Sequence, residues 1–356
     1  MKTGKKNDSL DPTHQHMKLK YTTQYLFLLL FVVAISACSS GSEMIWDYAN
    51  ISLKIDVTDR EGHSLILPDT KQGEAFLSQV SLEWGDEILY CEGEPARSNL
   101  RAMIEGYHAL YVSKQGSDHY SLVLGELQPN YSQTQHMTLH FPGGTSRKIE
   151  FQHYVSDAHR FITRLFVDGK KVMPGNEYEF TIVLSDEEIE RSGYRLADRT
   201  PAPQTIYFHF INSKVEKLIG MEPSATDKVL NKSLEPLFKA EWRGKELALE
   251  HRPYGAPIDL NVTNPHFYYG TSRFLTYPSY SRFFYLGFGP LPEETLKEET
   301  LTIHYPEGKR AVFSVNFSRS SDGTPFLSVK GTDKNEYSDR NISYFRNGII
   351  IEIPEE

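Results

Sequence analysis

Met137-Thr138-Leu139-His140-Phe141-Pro142-Gly143-Gly144 returns 164 residues later as Leu301-Thr302-Ile303-His304-Tyr305-Pro306-Glu307-Gly308. In both stretches apolar and polar side chains alternate, so Met137, Leu139 and Phe141 point one way while Thr138 and His140 point the other. That period of two is the mark of a half-buried strand. Pro-x-Gly then makes a turn, proline fixing φ and glycine admitting φ > 0. A second alternating run follows in each, with Ile149 and Phe151 matching Phe313 and Val315. The reading is one β-hairpin, written twice.

The register holds without a gap back to Gly125-Glu126-Leu127 and Gly289-Pro290-Leu291. Identical pairs are Gly125/Gly289, Leu127/Leu291, Thr138/Thr302, His140/His304, Pro142/Pro306 and Gly144/Gly308. Further upstream, with small length changes, Glu83-Trp84 corresponds to Glu241-Trp242, and further back both Ile51–Ile55 and Ile206–Phe210 alternate. An internal repeat of this length is one supersecondary unit used twice. Copy one is expected over residues 44–184 and copy two over 204–356. Residues 185–203 carry S-D-E-E-I-E-R and T-P-A-P, which suit a short helical piece followed by a stiff linker. Each copy should hold seven to nine short strands. The fold class is therefore all-β, two tandem β-sandwich (Ig-like) domains. Residues 76–80 and 215–219 are expected to form brief helices.

The front of the chain has a different character. Residues 17–37 read as a lipoprotein signal peptide. Lys18 and Lys20 precede an uncharged apolar run from Tyr25 to Ile35. About 11 residues fit a signal core, whereas a bilayer span needs about 20. The run ends in Ile35-Ser36-Ala37-Cys38, the pattern in which small residues precede a cysteine that takes a diacylglyceryl group before cleavage. The alternative is a plain secretory signal with a chance cysteine, which would leave a soluble secreted protein. Residues 1–16 are polar and lie ahead of the positive region, so translation is expected to start at Met17, with 1–16 a non-native extension. The implied partner is a membrane, reached through lipid on Cys38, and the address is the cell envelope. Ser39 resembles the signals that permit transfer to an outer membrane. In the S-S-G-S-E run just after the cysteine only Glu43 is acidic, so surface and periplasmic faces both stay open.

Composition narrows the function classes. Net charge is −9. Residues 1–37 hold five lysines and two aspartates, so their removal leaves −12. Such a surface argues against nucleic acid, which is held by neutralising phosphates with Lys and Arg. The chain has two cysteines, Cys38 and Cys91. With Cys38 acylated, neither a disulfide framework nor a cysteine zinc site can form. Cys91 follows Ile88-Leu89-Tyr90 and lies near Glu87, Glu92 and Glu94, so it reads as a core thiol.

Trp46-Asp47, Val57-x-Asp59-x-x-Gly62-x-x-Leu65 and Leu122-x-x-Gly125-Glu126-Leu127, followed by a strand that ends in a glycine turn, together resemble uncharacterised cell-envelope lipoproteins of Bacteroidetes. Single-domain members correspond to residues 44–184, so this chain resembles a tandem form. Its turns read F-P-G-G and Y-P-E-G rather than W-G-D-G. The resemblance implies no established activity.

Chemistry is sparse. His136 and His140 on one strand lie roughly 13 Å apart, too far to share one metal ion, so neither metal nor cofactor is expected. Acidic runs such as Asp186–Glu190 read as solvated charge, and no nucleophile elbow, zinc-protease or phosphate-loop motif occurs. One stretch stands out: ten aromatic residues between Phe267 and Phe288, with Arg273 and Arg282 among them. Its rings at Tyr268, Tyr269, Tyr277, Tyr280 and Phe284 are the candidate ligand-binding residues, offering flat apolar faces to a glycan or an envelope protein. The expected function is non-catalytic binding or scaffolding. The alternative is a cell-envelope hydrolase with a carboxylate cleft between the two copies.

Overall fold

The computed structural model describes residues 51–93, 108–115, 119–127, 131–156, 161–175, 178–210, 235–253, 255–256, 264–272, 283–321, 323–332, 337–342 and 347–353. The signal segment, Cys38, Trp46-Asp47 and the helix expected over 215–219 lie outside these residues. Among the described residues no helix is long and apolar enough to cross a membrane.

The molecule is all-β, with two sandwich domains. Copy one contains β1 (Ile51–Thr58), β2 (Ser81–Trp84), β3 (Glu87–Glu92), β4 (Ala109–Gln115), β5 (His119–Leu127), β6 (Tyr131–His140), β7 (Ser146–Val155), β8 (Phe161–Val167), β9 (Lys170–Val172) and β10 (Glu179–Val183). Copy two contains β11 (Thr205–Phe210), β12 (Lys239–Trp242), β13 (Lys245–His251), β14 (His266–Ser272), β15 (Phe283–Gly289), β16 (Leu296–Tyr305), β17 (Lys309–Arg319), β18 (Pro325–Gly331), β19 (Ser338–Ile342) and β20 (Gly348–Ile353). Among the described residues each copy thus has ten strands rather than seven to nine. The extra ones include pieces as short as β9, whose three residues carry no readable period.

Hydrogen bonding runs β10-β1-β5-β4-β3-β2-β6-β7-β8-β9 in copy one and β19-β20-β11-β15-β14-β13-β12-β16-β17-β18 in copy two. Nine strands correspond in order. The tenth sits at opposite ends: β9 extends beyond β8 in copy one, and β19 beyond β20 in copy two. The sheet folds over on itself, so Leu53, Ile55, Leu122 and Leu124 from one half share a buried cluster with Leu139, Ile149, Phe151 and Leu165 from the other. The same positions in copy two are filled by Ile206, Phe208, Leu286, Phe288, Ile303, Phe313, Val315 and Val329. Cys91 is buried in the first cluster.

The repeated motifs have physical causes. A Cβ on Gly125 would come within 2.5 Å of the Ser52 hydroxyl, and one on Gly289 within 2.6 Å of the Thr205 hydroxyl. Each glycine of the G-x-L repeat therefore leaves room for the first strand of its copy. His140 Nε2 lies 3.4 Å from Glu83, and His304 Nε2 lies 3.8 Å from Glu241. The histidine that recurs at offset 164 is thus a cross-strand partner of the acid beside the repeated tryptophan.

Among the described residues are two seven-residue helices, α1 (Lys71–Leu77) in copy one and α2 (Asp186–Ser192) at the start of the linker. The sequence placed the first helix at 76–80. It starts earlier because Thr70 caps it, accepting from the Gly73 amide at 3.0 Å. Helix α2 carries a full capping box between Ser185 and Glu188. Its Glu188 accepts from Arg147 at 2.9 Å, which pins the helix to β7 beside the hairpin turn.

The stretch after α2 docks rather than dangles. The Lys71 amide donates to the Thr200 carbonyl at 2.7 Å, and the Ala202 amide to the Asp69 carbonyl at 2.9 Å. From copy two, Arg319 donates to the Ala202 carbonyl and Asn347 to the Pro68 carbonyl. The Tyr90 ring of β3 occupies the space that a side chain at Gly255 would need.

Candidate binding cleft where the two copies meet

Where α1 and the linker approach copy two, a cavity of about 330 Å³ opens. Tyr207 and Tyr268 line its copy-two wall, with Glu250, His251, Arg252 and His266 around them, and Glu74 of α1 reaches it from copy one.

Strand register places the tyrosines. Tyr207 pairs with Gly287, and Gly287 pairs with Tyr268, so the three form one row across β11, β15 and β14. A Cβ on Gly287 would run into the Tyr268 ring, so that ring lies across the glycine of the middle strand. The next row repeats the device: Gly270 pairs with Tyr285, and a Cβ there would come within 2.8 Å of the Tyr285 hydroxyl. Tyr207 and Tyr285 meet edge to face at 5.5 Å, and Tyr268 and Tyr285 at 6.3 Å. Rings laid over cross-strand glycines cover backbone that would otherwise be bare. With Ile350 they form a buried cluster separate from the sandwich core.

The polar groups are also held. The Arg252 guanidinium lies over the Tyr268 ring at 5.3 Å and donates to the Ala256 carbonyl at 3.2 Å. His251 stacks on Tyr269 at 4.7 Å. His266 Nδ1 lies 3.4 Å from Glu250, both largely exposed. Glu74, by contrast, is 3% exposed, a carboxylate withdrawn from solvent on the wall of a cavity.

The structure separates the five expected ligand-binding rings. Tyr268 lines the cleft. Tyr269 does not: one position further along β14 its side chain points into the sandwich core, fully buried, and its hydroxyl donates to Glu235 at 2.6 Å. Alternation along the strand sends the two neighbours to opposite faces, so the expectation for Tyr269 is corrected. Tyr277 and Tyr280 lie outside the described residues. Phe284 has a place in β15, but its side chain lies outside what is described. Sequence reasoning missed Glu74, Tyr207 and Arg252. The Tyr/Gly alternation in Y-Y-G and Y-L-G-F-G was the available signal.

Elsewhere, Ser121, Asp56 and His119 gather on the outer face of copy one, but Asp56 Oδ1 takes both the serine hydroxyl at 2.6 Å and the imidazole at 3.0 Å. A nucleophilic triad needs the histidine between the other two, so this group is a hydrogen-bond cluster. Asp59, Glu61 and His63 in the turn after β1 are, among the described residues, the donors that could hold a metal ion, all within 4.8 Å of one another. Asp59 is buried and accepts from both the His63 amide at 2.7 Å and its ring at 2.8 Å. Burial works to raise its pKa, but the bonds and charge of His63 outweigh that and hold it below the usual value. These bonds account for the V-x-D-x-x-G-x-x-L motif as a closed turn.

Comparison with family models, curated proteins and solved structures finds no match to this chain.

Proposed function

We propose that the protein is a cell-envelope lipoprotein, anchored in the outer membrane by lipid on Cys38, that binds a glycan or protein ligand without turning it over. It is a tandem member of the Bacteroidetes lipoprotein group that its motifs resemble. One observation supports a binding role: the cleft between the copies, where a tyrosine-paved face meets held charges. Small-ligand sites combine apolar walls with a few placed polar groups, preferentially at domain junctions. The anchor reading rests on the lipobox around Cys38, since two or more acyl chains hold a protein stably where one does not.

Two measurements test this. Cells fed labelled palmitate should label the wild type and not Cys38→Ser; equal labelling would remove the anchor. Glycan-array and envelope-protein capture by the mature chain should fall at least tenfold in Arg252→Ala. Unchanged capture would move the site elsewhere, and a loss in Tyr277→Ala/Tyr280→Ala would assign capture to those two rings.

A second reading has its own observation. Glu74, buried, and Glu250, exposed, line the same cleft, and glycoside hydrolysis uses a shielded acid with an ionised partner. Under that reading captured glycans are shortened, and Glu74→Gln stops the shortening while leaving capture intact.

A further inference from the structure

Arg252 is a half-buried cation on the cleft wall, and among the described residues no carboxylate pairs with it. Glu250 is turned to His266 at 3.4 Å, and Glu74 is already engaged within the protein. The Tyr268 ring covers one face of the guanidinium at 5.3 Å, and the Ala256 carbonyl takes one of its five donors at 3.2 Å. What remains is the edge of a flat fork held in place, the geometry that meets a carboxylate through two parallel bonds. A cation partly withdrawn from water favours an anion delivered to it, since a ring face compensates its charge only in part.

The space limits that anion to a small, singly charged one. Its volume of about 330 Å³ is at the low end for small-ligand sites. Glu74 and Glu250 both line it, and no second arginine or lysine does. A further negative charge, as on a phosphate, would therefore meet two carboxylates with nothing to offset them. The rest of the lining suits hydroxyls. Glu250 and His266 are exposed and face each other, so a carboxylate oxygen and a ring nitrogen lie side by side, and neighbouring hydroxyls can bond to both. Tyr207 supplies an apolar wall for C–H groups.

We propose that the cleft takes a sugar of the uronic-acid class, its carboxylate on Arg252 and its hydroxyls on Glu250 and His266. A neutral sugar lacks the anion, and a peptide carboxylate lacks the hydroxyls. The assignment narrows the glycan of the proposed function to an acidic one and rests on the cleft being the binding site.

The test is calorimetry on the whole mature chain with methyl glucuronide, its methyl ester, methyl glucoside, a glucose phosphate and alanyl-alanine. The glucuronide should bind, and every other probe should be weaker by about tenfold or more. In Arg252→Gln the glucuronide and its ester should become equal, and Arg252→Lys should restore part of the difference. In Glu250→Ala all the sugars should weaken while the preference for acid over ester is kept. Circular dichroism matching the wild type confirms that each variant is folded. Equal binding of the glucuronide and its ester to the wild type overturns the acidic sugar; if Glu250→Ala weakens both, the cleft still stands as the site. Binding of the phosphate or of alanyl-alanine as tight as that of the glucuronide also overturns it. Glucuronide binding that neither Arg252→Gln nor Glu250→Ala changes removes the cleft itself, and no binding by any probe removes the acidic sugar.

Discussion

The outer face of the β1-β5-β4 sheet in copy one and that of β11-β15-β14 in copy two occupy the same place in the same topology, yet they are closed by different chemistry. Pairing sets Lys54 and Glu179 of copy one where copy two has Tyr207 and Ile350, and Ser121 and Val123 where copy two has Tyr285 and Gly287. Lys54 bonds Gln115 at 3.1 Å and Glu179 at 3.5 Å, and Ser121 bonds Asp56. Copy one thus closes its face with polar side chains around a small apolar cluster of Ala109, Tyr111 and Val123, while copy two closes it with rings over glycines. Tyr111 and Tyr268 hold equivalent places, but copy one puts Val123 beside its tyrosine and copy two puts Gly287. Duplication kept the core and left the face free to diverge. The cleft formed on the copy whose face became aromatic.

The hairpin turns tell the reverse story. Gly143 and Glu307 are equivalent and share a left-handed backbone, φ 75° and 69°. In copy one a Cβ would come within 2.6 Å of the Arg191 backbone, because α2 packs on the turn. In copy two the equivalent side chain is exposed, and Glu307 lies 3.5 Å from Lys309. A helix resting on one copy of the turn converts a tolerated position into an obligatory glycine.

These contrasts can be broken experimentally, beginning with the largest effect. Gly287→Val gives copy two the residue of copy one and drives a branched side chain into the Tyr268 ring. Chemical denaturation should show a loss of about 3 kcal/mol, and ligand capture at the cleft should vanish with it. Val123→Gly in copy one should cost less, about 1.5 kcal/mol. A second contrast is Gly143→Ala, expected to cost about 2–3 kcal/mol through the left-handed φ and the displaced helix. Gly308→Ala, at φ 71° with open space around it, should cost about 1 kcal/mol. Equal costs would mean that α2 does not press on the turn.

Arg147→Ala comes next, at about 2 kcal/mol. The bond from Arg147, with burial opposing, holds the Glu188 pKa at about 2 instead of 4.5. A depressed carboxylate stabilises the fold above its unfolded value and ceases to do so as pH falls through its folded one. The gap between wild type and Arg147→Ala should therefore be full above about pH 4.5 and close towards pH 2. A gap that stays constant over that window would show that the arginine acts by packing alone. The smallest effect belongs to the exposed histidine pairs. His140→Gln and His304→Gln should each change stability by less than about 0.5 kcal/mol, and by the same amount.

Much of this architecture was legible because its signals are local. Alternation in 137–141 and 301–305 announced the strands, Pro-x-Gly announced the turn, and the charged run S-D-E-E-I-E-R announced α2. The offset of 164 residues showed that there are two copies before any contact was known. The conflict over Tyr268 and Tyr269 was not legible. Adjacent strand residues face opposite ways, but which way depends on register with β15.

What the chain determined by itself was a duplicated sandwich, since periodicity and turn chemistry are properties of neighbours in sequence. What only the tertiary structure decided was the paved face and the cleft. Gly287 and Tyr268 are separated along the chain but adjacent across strands, and Glu74 meets Arg252's cavity only because α1 and the linker dock on copy two. Cross-strand pairing and domain docking bring distant residues within a few ångströms, and no local pattern records that distance.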